Sequence, residues 1–229
     1  MGASKRNKVE TVRGTCYHCY RPLSSCMCSH VKAVETKTKF VILMHPKEFQ
    51  KVKNGTGHLT HLSLPNSELY VGVDFREHTR VNALINDPEN CCYVLYPDEK
   101  SHNLNREKIV LDNKQLVVFI IDATWSTAVK LLNVSTNLQS LAKLSFTHTK
   151  SSQFQIKQQP AAYCLSTIES TLTILELLTL HEMESIKKCE LSSFLDPFNA
   201  MIQYQIECIA NSKSSHKNAV RFKRRREKA

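Results

Sequence analysis

The chain lacks any apolar stretch that approaches the roughly 20 residues needed to span a bilayer. It also lacks a secretory signal, because residues 1–8 are polar and basic and no apolar core follows them. We therefore expect a cytoplasmic protein with no membrane partner. No internal repeat is visible. At 41% hydrophobic and 23% charged residues, the 229-residue chain has the composition of an ordinary globular protein with one sizeable domain.

A disulfide framework is not expected either. The nine cysteines are odd in number, and the cytoplasm keeps thiols reduced. Four of the nine crowd between Cys16 and Cys28. The other five lie in strand or helix patterns, and we expect them to be small buried side chains: Cys91, Cys92, Cys164, Cys189 and Cys208.

The clustered cysteines have the spacing of a structural zinc site. Cys16 and Cys19 form a Cys-x2-Cys turn that can supply two thiolates, and Cys26-x-Cys28 can supply the other two. Ligands so close in sequence form a closed site without an open coordination position. His18 can replace one cysteine, and a redox switch or four free thiols are the alternatives. We expect one structural Zn²⁺ held by the four cysteines in a small N-terminal zinc knuckle.

The single tryptophan stands at the end of the most apolar segment. Residues 116–125 read Leu-Val-Val-Phe-Ile-Ile-Asp-Ala-Thr-Trp, which is typical of a strand buried on both faces of a parallel sheet. Asp122 falls at the carboxyl end of that strand, where chemistry collects in such sheets, and a helical pattern follows at once. The structural alternative makes Asp122 a helix N-cap and Trp125 a core anchor.

Strands alternate with helices along the rest of the chain, which predicts an α/β domain with a mostly parallel sheet flanked by helices. The predicted strands are 39–44, 68–73, 91–95, 116–122 and 143–147. The predicted helices are 56–64, 77–85, 126–132, 166–187 and a last one after Asp196 as N-cap, with Met201, Ile202, Ile206 and Ile209 on its apolar face. Ser166-x-x-Glu169 before the longest helical pattern predicts a capping box.

Asp-x-Thr-Trp at 122–125, preceded by Cys-x2-Cys-x2-Pro-x3-Cys-x-Cys at 16–28, resembles the DTW-domain family, the tRNA-uridine aminocarboxypropyltransferases. Further matching segments follow the family's order: His45-Pro-Lys-Glu48, Thr56-Gly57, Leu95-Tyr96-Pro97 and Cys164-Leu-Ser-Thr-Ile-Glu169. The resemblance runs from about Cys16 to Phe222, which is nearly the whole chain. Several such segments in order are far more specific than any one of them.

The resemblance implies a SPOUT-like fold whose C-terminal part threads a trefoil knot. It also implies that the 3-amino-3-carboxypropyl group of S-adenosylmethionine is transferred to N3 of a uridine in tRNA, forming acp3U. Asp122 is then the general base for the N3 proton, and the Trp125 ring stacks on the uracil or shapes the pocket wall. The residues assigned to the cofactor are Thr56, Gly57, Tyr96, Pro97, Asp122, Thr124, Leu165, Ser166, Thr167 and Glu169.

The net charge of +10 is concentrated at the C-terminus, where residues 212–229 carry eight Lys or Arg against one Glu, giving 8 − 1 = +7. Such a tail is typical of polyanion binding, and a solvated appendage is the alternative. Beside the resemblance to tRNA-modifying enzymes, we expect it to bind tRNA. The residues assigned to RNA are His45, Lys157, Lys217, Arg221, Lys223, Arg224, Arg225 and Arg226. Lys157 stands where the family pattern has arginine. Lysine keeps the positive charge but cannot make the bidentate contact to phosphate or carboxylate that arginine makes.

The chain is therefore divided into a disordered N-terminus (1–13), the zinc knuckle (14–30), the DTW catalytic domain (31–211) and the basic tail (212–229). Two other functions are open. A zinc- and RNA-binding protein without catalysis explains the knuckle and the tail but leaves Asp122 and Trp125 without a role. An RNA methyltransferase on the same scaffold differs in which carbon of the cofactor reaches the RNA.

Overall fold

The computed structural model describes residues 14–50, 55–148, 152 and 165–213. Its strands are β1 (Lys39–Met44), β2 (Ser67–Val71), β3 (Asn90–Leu95), β4 (His102–Asn103), β5 (Gln115–Asp122) and β6 (Ala142–Ser145). They form one sheet with the order β2-β1-β5-β3-β6-β4, and every pairing in it is parallel. The prediction of a mostly parallel α/β sheet is confirmed.

The helices of the described residues cover both faces of this sheet. They are α1 (Pro46–Phe49), α2 (Thr56–Ser63), α3 (Thr79–Asn86), α4 (Trp125–Val134), α5 (Thr136–Gln139), α6 (Thr167–Leu180), α7 (Lys188–Ser193) and α8 (Asp196–Lys213). Two short 3₁₀ turns, Leu23–Ser25 and Cys28–His30, lie in the cysteine-rich segment. Among the described residues, no helix has both the length and the apolar content to cross a membrane.

The central strand β5 is buried on both faces. Successive side chains of a strand point to opposite faces of its sheet. Leu116, Val118 and Ile120 accordingly pack into one core with α2, α6 and α8, whereas Val117 and Phe119 pack into a second core with α3, α4 and α5. These two cores explain why the sequence of β5 is an unbroken apolar run rather than an alternating one.

The carboxyl end of β5 lies between two neighbouring strands. In the parallel register Met44 of β1 stands beside Asp122, and Leu95 of β3 stands beside Ile120. The segments that follow β1, β3 and β5 therefore leave the sheet at one edge. This confirms the prediction that Asp122 terminates a buried central strand.

The longest predicted helix is shorter than the sequence indicates. The prediction of 166–187 is wrong at its end, because α6 stops at Leu180 and Glu182 adopts a left-handed backbone with φ 58°. Hydrogen bonds from the Glu182 N–H to the Thr179 carbonyl and from the Met183 N–H to the Leu178 carbonyl close a Schellman motif. Glycine is the usual residue at this left-handed position after a helix. Because Glu182 occupies it here, the sequence did not indicate where the helix ends.

Other details of the prediction also need correction. Asp196 is the first residue of α8 rather than its cap, and Ile206 and Ile209 on that helix are exposed instead of lining a buried face. Cys189 and Cys208 are exposed, contrary to the expectation of buried thiols. Cys91 and Cys92 are half-buried in β3, and Cys164 lies outside the described residues. Four short elements, α1, α5, α7 and β4, were not predicted.

Candidate active site and metal centre

Asp122 is a buried carboxylate at the end of β5, with 8% of the residue exposed. The Thr167 hydroxyl, in the first turn of α6, donates to its Oδ1 at 2.6 Å, and the His45 N–H donates to its backbone oxygen at 3.0 Å. Helix α4 begins only at Trp125, with Thr124 as the N-cap residue. The alternative in which Asp122 caps that helix is therefore wrong.

Gly57, in the first turn of α2, packs directly against this carboxylate. A Cβ atom built on Gly57 would overlap the Asp122 Oδ2 and lie 2.8 Å from the Met44 methyl carbon. Glycine is thus required here by close approach, not by an unusual backbone angle. The N-termini of α2 and α6 both meet at Asp122, and their partial positive charge favours a carboxylate anion at that point.

The predicted capping box at the start of α6 is confirmed. Glu169, which is 6% exposed, accepts hydrogen bonds from the Ser166 N–H at 2.8 Å and from the Ser166 hydroxyl at 2.6 Å. The Ser152 hydroxyl donates to the same carboxylate at 2.8 Å. Glu169 thereby fixes the turn that presents Thr167 to Asp122, and its assignment to the cofactor stays a prediction.

Two aromatic residues follow β3 and β5 at the same edge of the sheet. The rings of Tyr96, after β3, and Trp125 are stacked, with centroids 5.5 Å apart and 12° between their planes. Trp125 is 54% exposed, so the alternative of a core anchor is wrong. The Lys143 ammonium lies over the Tyr96 ring, 5.9 Å from its centroid, and pairs with Asp98 at 2.7 Å.

The remaining residues assigned to the cofactor lie around these contacts. Thr56 is buried at the start of α2, where its carbonyl accepts from the Thr60 hydroxyl. Thr124 is exposed, Leu165 half-buried and Pro97 exposed beside Tyr96. The structure thus brings Asp122, Gly57 and Thr167 into one cluster, with Tyr96 and Trp125 as a neighbouring stacked pair.

The residues assigned to RNA are mostly not described. His45 caps α1, since its Nδ1 accepts from the Lys47 N–H at 3.2 Å, and this accounts for one ring nitrogen structurally. An RNA contact by His45 stays a prediction. The other assigned positions lie outside the described residues: Lys157, Lys217, Arg221, Lys223, Arg224, Arg225 and Arg226. The predicted disordered segment 1–13 also lies outside them, and the trefoil knot stays a prediction.

The four clustered cysteines form a metal-ligand set. Their sulfur atoms all lie within 4.8 Å of one another, and the Cys16–Cys28 and Cys19–Cys26 pairs are each separated by 3.7 Å. A tetrahedron with Zn–S bonds of about 2.3 Å has edges of roughly 3.8 Å, so these two pairs already have the separation that a zinc ion requires. Backbone N–H groups of Cys19 and His18 lower the pKa of Cys16 to about 6, whereas burial raises the pKa of Cys28.

The chain around these cysteines folds into a tight turn that we call the knuckle turn, residues 14–23. The Cys16 N–H donates to the Arg21 carbonyl and the Leu23 N–H to the Gly14 carbonyl, each at 2.8 Å, while Tyr20 has φ 58°. The turn is anchored to the domain by Arg21, which is 2% exposed and donates to the Met201 sulfur of α8 at 2.9 Å. Burial lowers the pKa of Arg21.

His18 does not belong to the four-sulfur set. Its Nδ1 lies 3.5 Å from the Cys28 sulfur, a distance suited to a hydrogen bond with a ligand. Several site residues had no motif to mark them. Lys143, Asp98 and Ser152 reach the site from distant parts of the chain, and only the sheet order and the packing of α6 bring them there.

The sequence of the chain is similar to those of three named proteins. The mouse (Mus musculus) tRNA-uridine aminocarboxypropyltransferase 2 is 26% identical over 201 residues, and the Macaca fascicularis protein of that name is 27% identical over 201 residues. Each alignment covers 85% of this chain but only 64% of the relative, so the chain spans less than two thirds of their length. The Drosophila melanogaster protein of the same name is 26% identical over 202 residues, covering 85% of this chain and 76% of the relative.

No solved structure matches the chain. The DTW domain profile, in contrast, matches residues 13–206, which include the four cysteines, Asp122, Trp125 and the start of α6. Because this match covers most of the sequence, the chain belongs to the DTW domain family.

Proposed function

We propose that the protein is a tRNA-uridine aminocarboxypropyltransferase that uses S-adenosylmethionine and modifies N3 of a uridine. The observation that carries the proposal is that the buried Asp122 carboxylate and the stacked pair of half-buried Tyr96 and exposed Trp125 lie at the same carboxyl edge of a parallel sheet. The names of the mouse, macaque and fruit fly relatives support the same reaction.

The first task of the site is to make uridine N3 nucleophilic. N3 carries a proton, and its lone pair becomes available only when that proton leaves. Asp122 is suited to take it, because the Thr167 hydroxyl fixes Oδ1 at 2.6 Å and Gly57 limits the space around Oδ2. The hydrogen bond to Oδ1 and the packing of Gly57 against the buried Oδ2 hold the carboxylate in one orientation.

The second task is to orient the two reactants. Bound S-adenosylmethionine supplies a sulfonium-activated carbon that accepts the uridine N3 as the carbon–sulfur bond breaks and 5′-methylthioadenosine leaves. Trp125, with its ring half exposed against Tyr96, offers a flat face on which uracil can stack. Stacking beside Asp122 turns a bimolecular encounter into a positioned one.

The first turn of α6 fits the methionine end of the cofactor. Its start is closed by the Ser166–Glu169 capping box, and the turn lies within hydrogen-bonding distance of Asp122 through Thr167. Helix α6 has fourteen residues, and the N-terminus of such a helix favours binding of a carboxylate group such as that of the cofactor. Thr56 and Gly57 of α2 are also assigned to the cofactor. The four-cysteine cluster is proposed to hold a structural Zn²⁺, and the tail to bind the tRNA backbone.

Two labelled forms of the cofactor test this proposal. The protein is incubated with tRNA and S-adenosylmethionine labelled either in the methyl group or in the carboxyl group, and the tRNA nucleosides are analysed by mass spectrometry. We expect only the carboxyl label to reach uridine. Methyl label in the tRNA would establish a methyltransferase instead. Binding of tRNA with neither label transferred would leave a non-catalytic zinc- and RNA-binding protein.

A further inference from the structure

Three aromatic rings meet where the knuckle turn touches the domain. The Tyr20 ring lies 5.3 Å from the His58 ring and 6.0 Å from the Phe49 ring, and Phe49 and His58 are 5.2 Å apart, all centroid to centroid. The rings are tilted by 48° to 54°, an arrangement between parallel stacking and edge-to-face packing. We call this cluster the three-ring brace.

One ring of the brace, that of Tyr20, belongs to the knuckle turn beside the cysteine cluster. Tyr20 directly follows Cys19, which is 1% exposed, and precedes Arg21, which is anchored on α8. Its left-handed backbone at φ 58° is a conformation that a non-glycine residue keeps only when its surroundings hold it. A zinc ion bound by Cys19 and its three partners would hold that turn, so the direction of the Tyr20 ring depends on the knuckle.

The other two corners lead to Asp122. Phe49 lies on α1, whose cap residue His45 donates its N–H to the Asp122 carbonyl at 3.0 Å, and the Phe49 N–H in turn donates to the His45 carbonyl. His58 immediately follows Gly57, the residue that packs against the Asp122 carboxylate. The Tyr20 ring, although 47% exposed, therefore contacts one residue of each of the two helices that lie against Asp122.

We propose that the three-ring brace couples the metal centre to the active site, with Tyr20 as a positioning residue that sets how α1 and α2 hold Asp122. This rests on the proposed function, since it concerns the same carboxylate. The His58 ring is suited to the contact because burial lowers its pKa and keeps the imidazole neutral against the two rings. The coupling then depends on the packing of the three rings and not on a charge on His58.

The brace makes a prediction that ordinary packing does not. If the Tyr20 ring only fills space, its removal from the zinc-bound knuckle turn should leave α1 and α2 unchanged, because each helix is also attached to the sheet. A ring that positions them should loosen both helices when it is removed, even with the metal still bound. Tyr17 is a matched control, because it lies in the same turn and is 89% exposed.

The test is hydrogen–deuterium exchange of the full chain, read at residues 45–49 and 56–63, with zinc content measured on each sample. We expect zinc-loaded Tyr20→Ala to exchange faster in both segments, as wild type does after zinc is chelated. Tyr20→Phe and Tyr17→Ala should match zinc-loaded wild type. Should Tyr20→Ala lose its zinc, Phe49→Leu, which lies outside the knuckle, removes another corner and should give the same change. Unaltered exchange at 56–63 in zinc-loaded variants would overturn the proposal.

Turnover gives a second readout. We expect Tyr20→Ala to lower kcat about 10- to 100-fold, the size expected of a misplaced catalytic group. The KM for S-adenosylmethionine should stay close to that of wild type, and Tyr20→Phe should restore kcat. An equal kcat in Tyr20→Ala and wild type would contradict the coupling. Failure of wild type to transfer the group would instead refute the proposed function, while the exchange experiment would still test the brace.

Discussion

Asp122 is held by contacts from three separate parts of the chain. Thr167 donates to one carboxylate oxygen, Gly57 packs against the other, and the His45 N–H donates to the backbone carbonyl of Asp122. The sequence predicted where Asp122 lies along β5, because an apolar run ending in an acid is a local pattern. The hydrogen bond from Thr167 was not predictable, since it joins residues 45 positions apart.

Substitution of Gly57 tests this close packing. Alanine in a helix usually stabilises a protein relative to glycine, but here its Cβ would overlap Asp122 and crowd Met44. We expect Gly57→Ala to lower the free energy of unfolding by about 1–3 kcal/mol and to lower the transfer rate about tenfold or more. Urea denaturation and single-turnover kinetics measure the two effects.

Gly72→Ala serves as the matched control for this prediction. Its Cβ would lie 3.0 Å from the Phe75 ring, a tight contact that does not involve the carboxylate. The control should therefore lose stability with little change in the transfer rate of the folded protein. Activity that falls equally in both variants would show that Gly57 matters only for folding.

Among the helices and strands, the best predictions concern elements whose pattern is strong and local. The buried strand β5 and the capping box of α6 follow directly from spacing. The end of α6 was missed because Glu182 occupies the left-handed position that glycine usually marks. The short elements were missed because four-residue helices and a two-residue strand have too few residues to show a period.

Edge strand β2 offers a prediction on pH dependence. Arg80, followed by Tyr70 and Lys39, donates to Glu68 and lowers the pKa of that carboxyl to about 2, from an ordinary value of 4.5. A carboxyl whose pKa is lower in the folded state stabilises the protein above the unfolded pKa, and this stabilisation is lost as the pH falls to the folded pKa. The window therefore runs from about pH 4.5 down to about pH 2.

We expect Glu68→Gln to be less stable than wild type by about 1–2 kcal/mol at pH 7, a value reduced for the solvent that reaches Arg80. The difference should shrink below pH 4.5 and vanish near pH 2. Thermal or urea unfolding across that range measures it. Glu99→Gln, at an exposed position, is the control and should show no such trend. A constant difference between Glu68→Gln and wild type at all pH values would contradict this account.

For the molecule as a whole, the cysteine cluster is not an isolated appendage. Composition predicted the zinc knuckle, but its attachment through Arg21 to α8 and through Tyr20 to α1 and α2 is visible only in the structure. Neither contact has a local sequence signal, because each joins the first part of the chain to an element much later in it. The basic tail, in contrast, is known from composition alone.

Removal of the tail tests its assigned role. If residues 212–229 bind the tRNA backbone, truncation after Asn211 should weaken tRNA binding and flatten its salt dependence. Each phosphate that the truncated protein no longer neutralises should change the slope of log affinity against log salt by about 0.7–0.9. Uridine specificity should survive, because groups that bind phosphates do not read bases. Titrations at several salt concentrations measure the slope, and an unchanged slope would make the tail a solvated appendage.

The central claim is that Asp122 is the base for aminocarboxypropyl transfer to uridine. Its most direct test is the single-turnover rate of Asp122→Asn, which keeps the shape of the side chain and an oxygen for the Thr167 hydrogen bond but removes the basic charge. We predict a rate about 10²–10⁴-fold below that of wild type, with cofactor affinity measured by calorimetry nearly unchanged. A variant that transfers the group at close to the wild-type rate would contradict the account and reduce Asp122 to a structural residue.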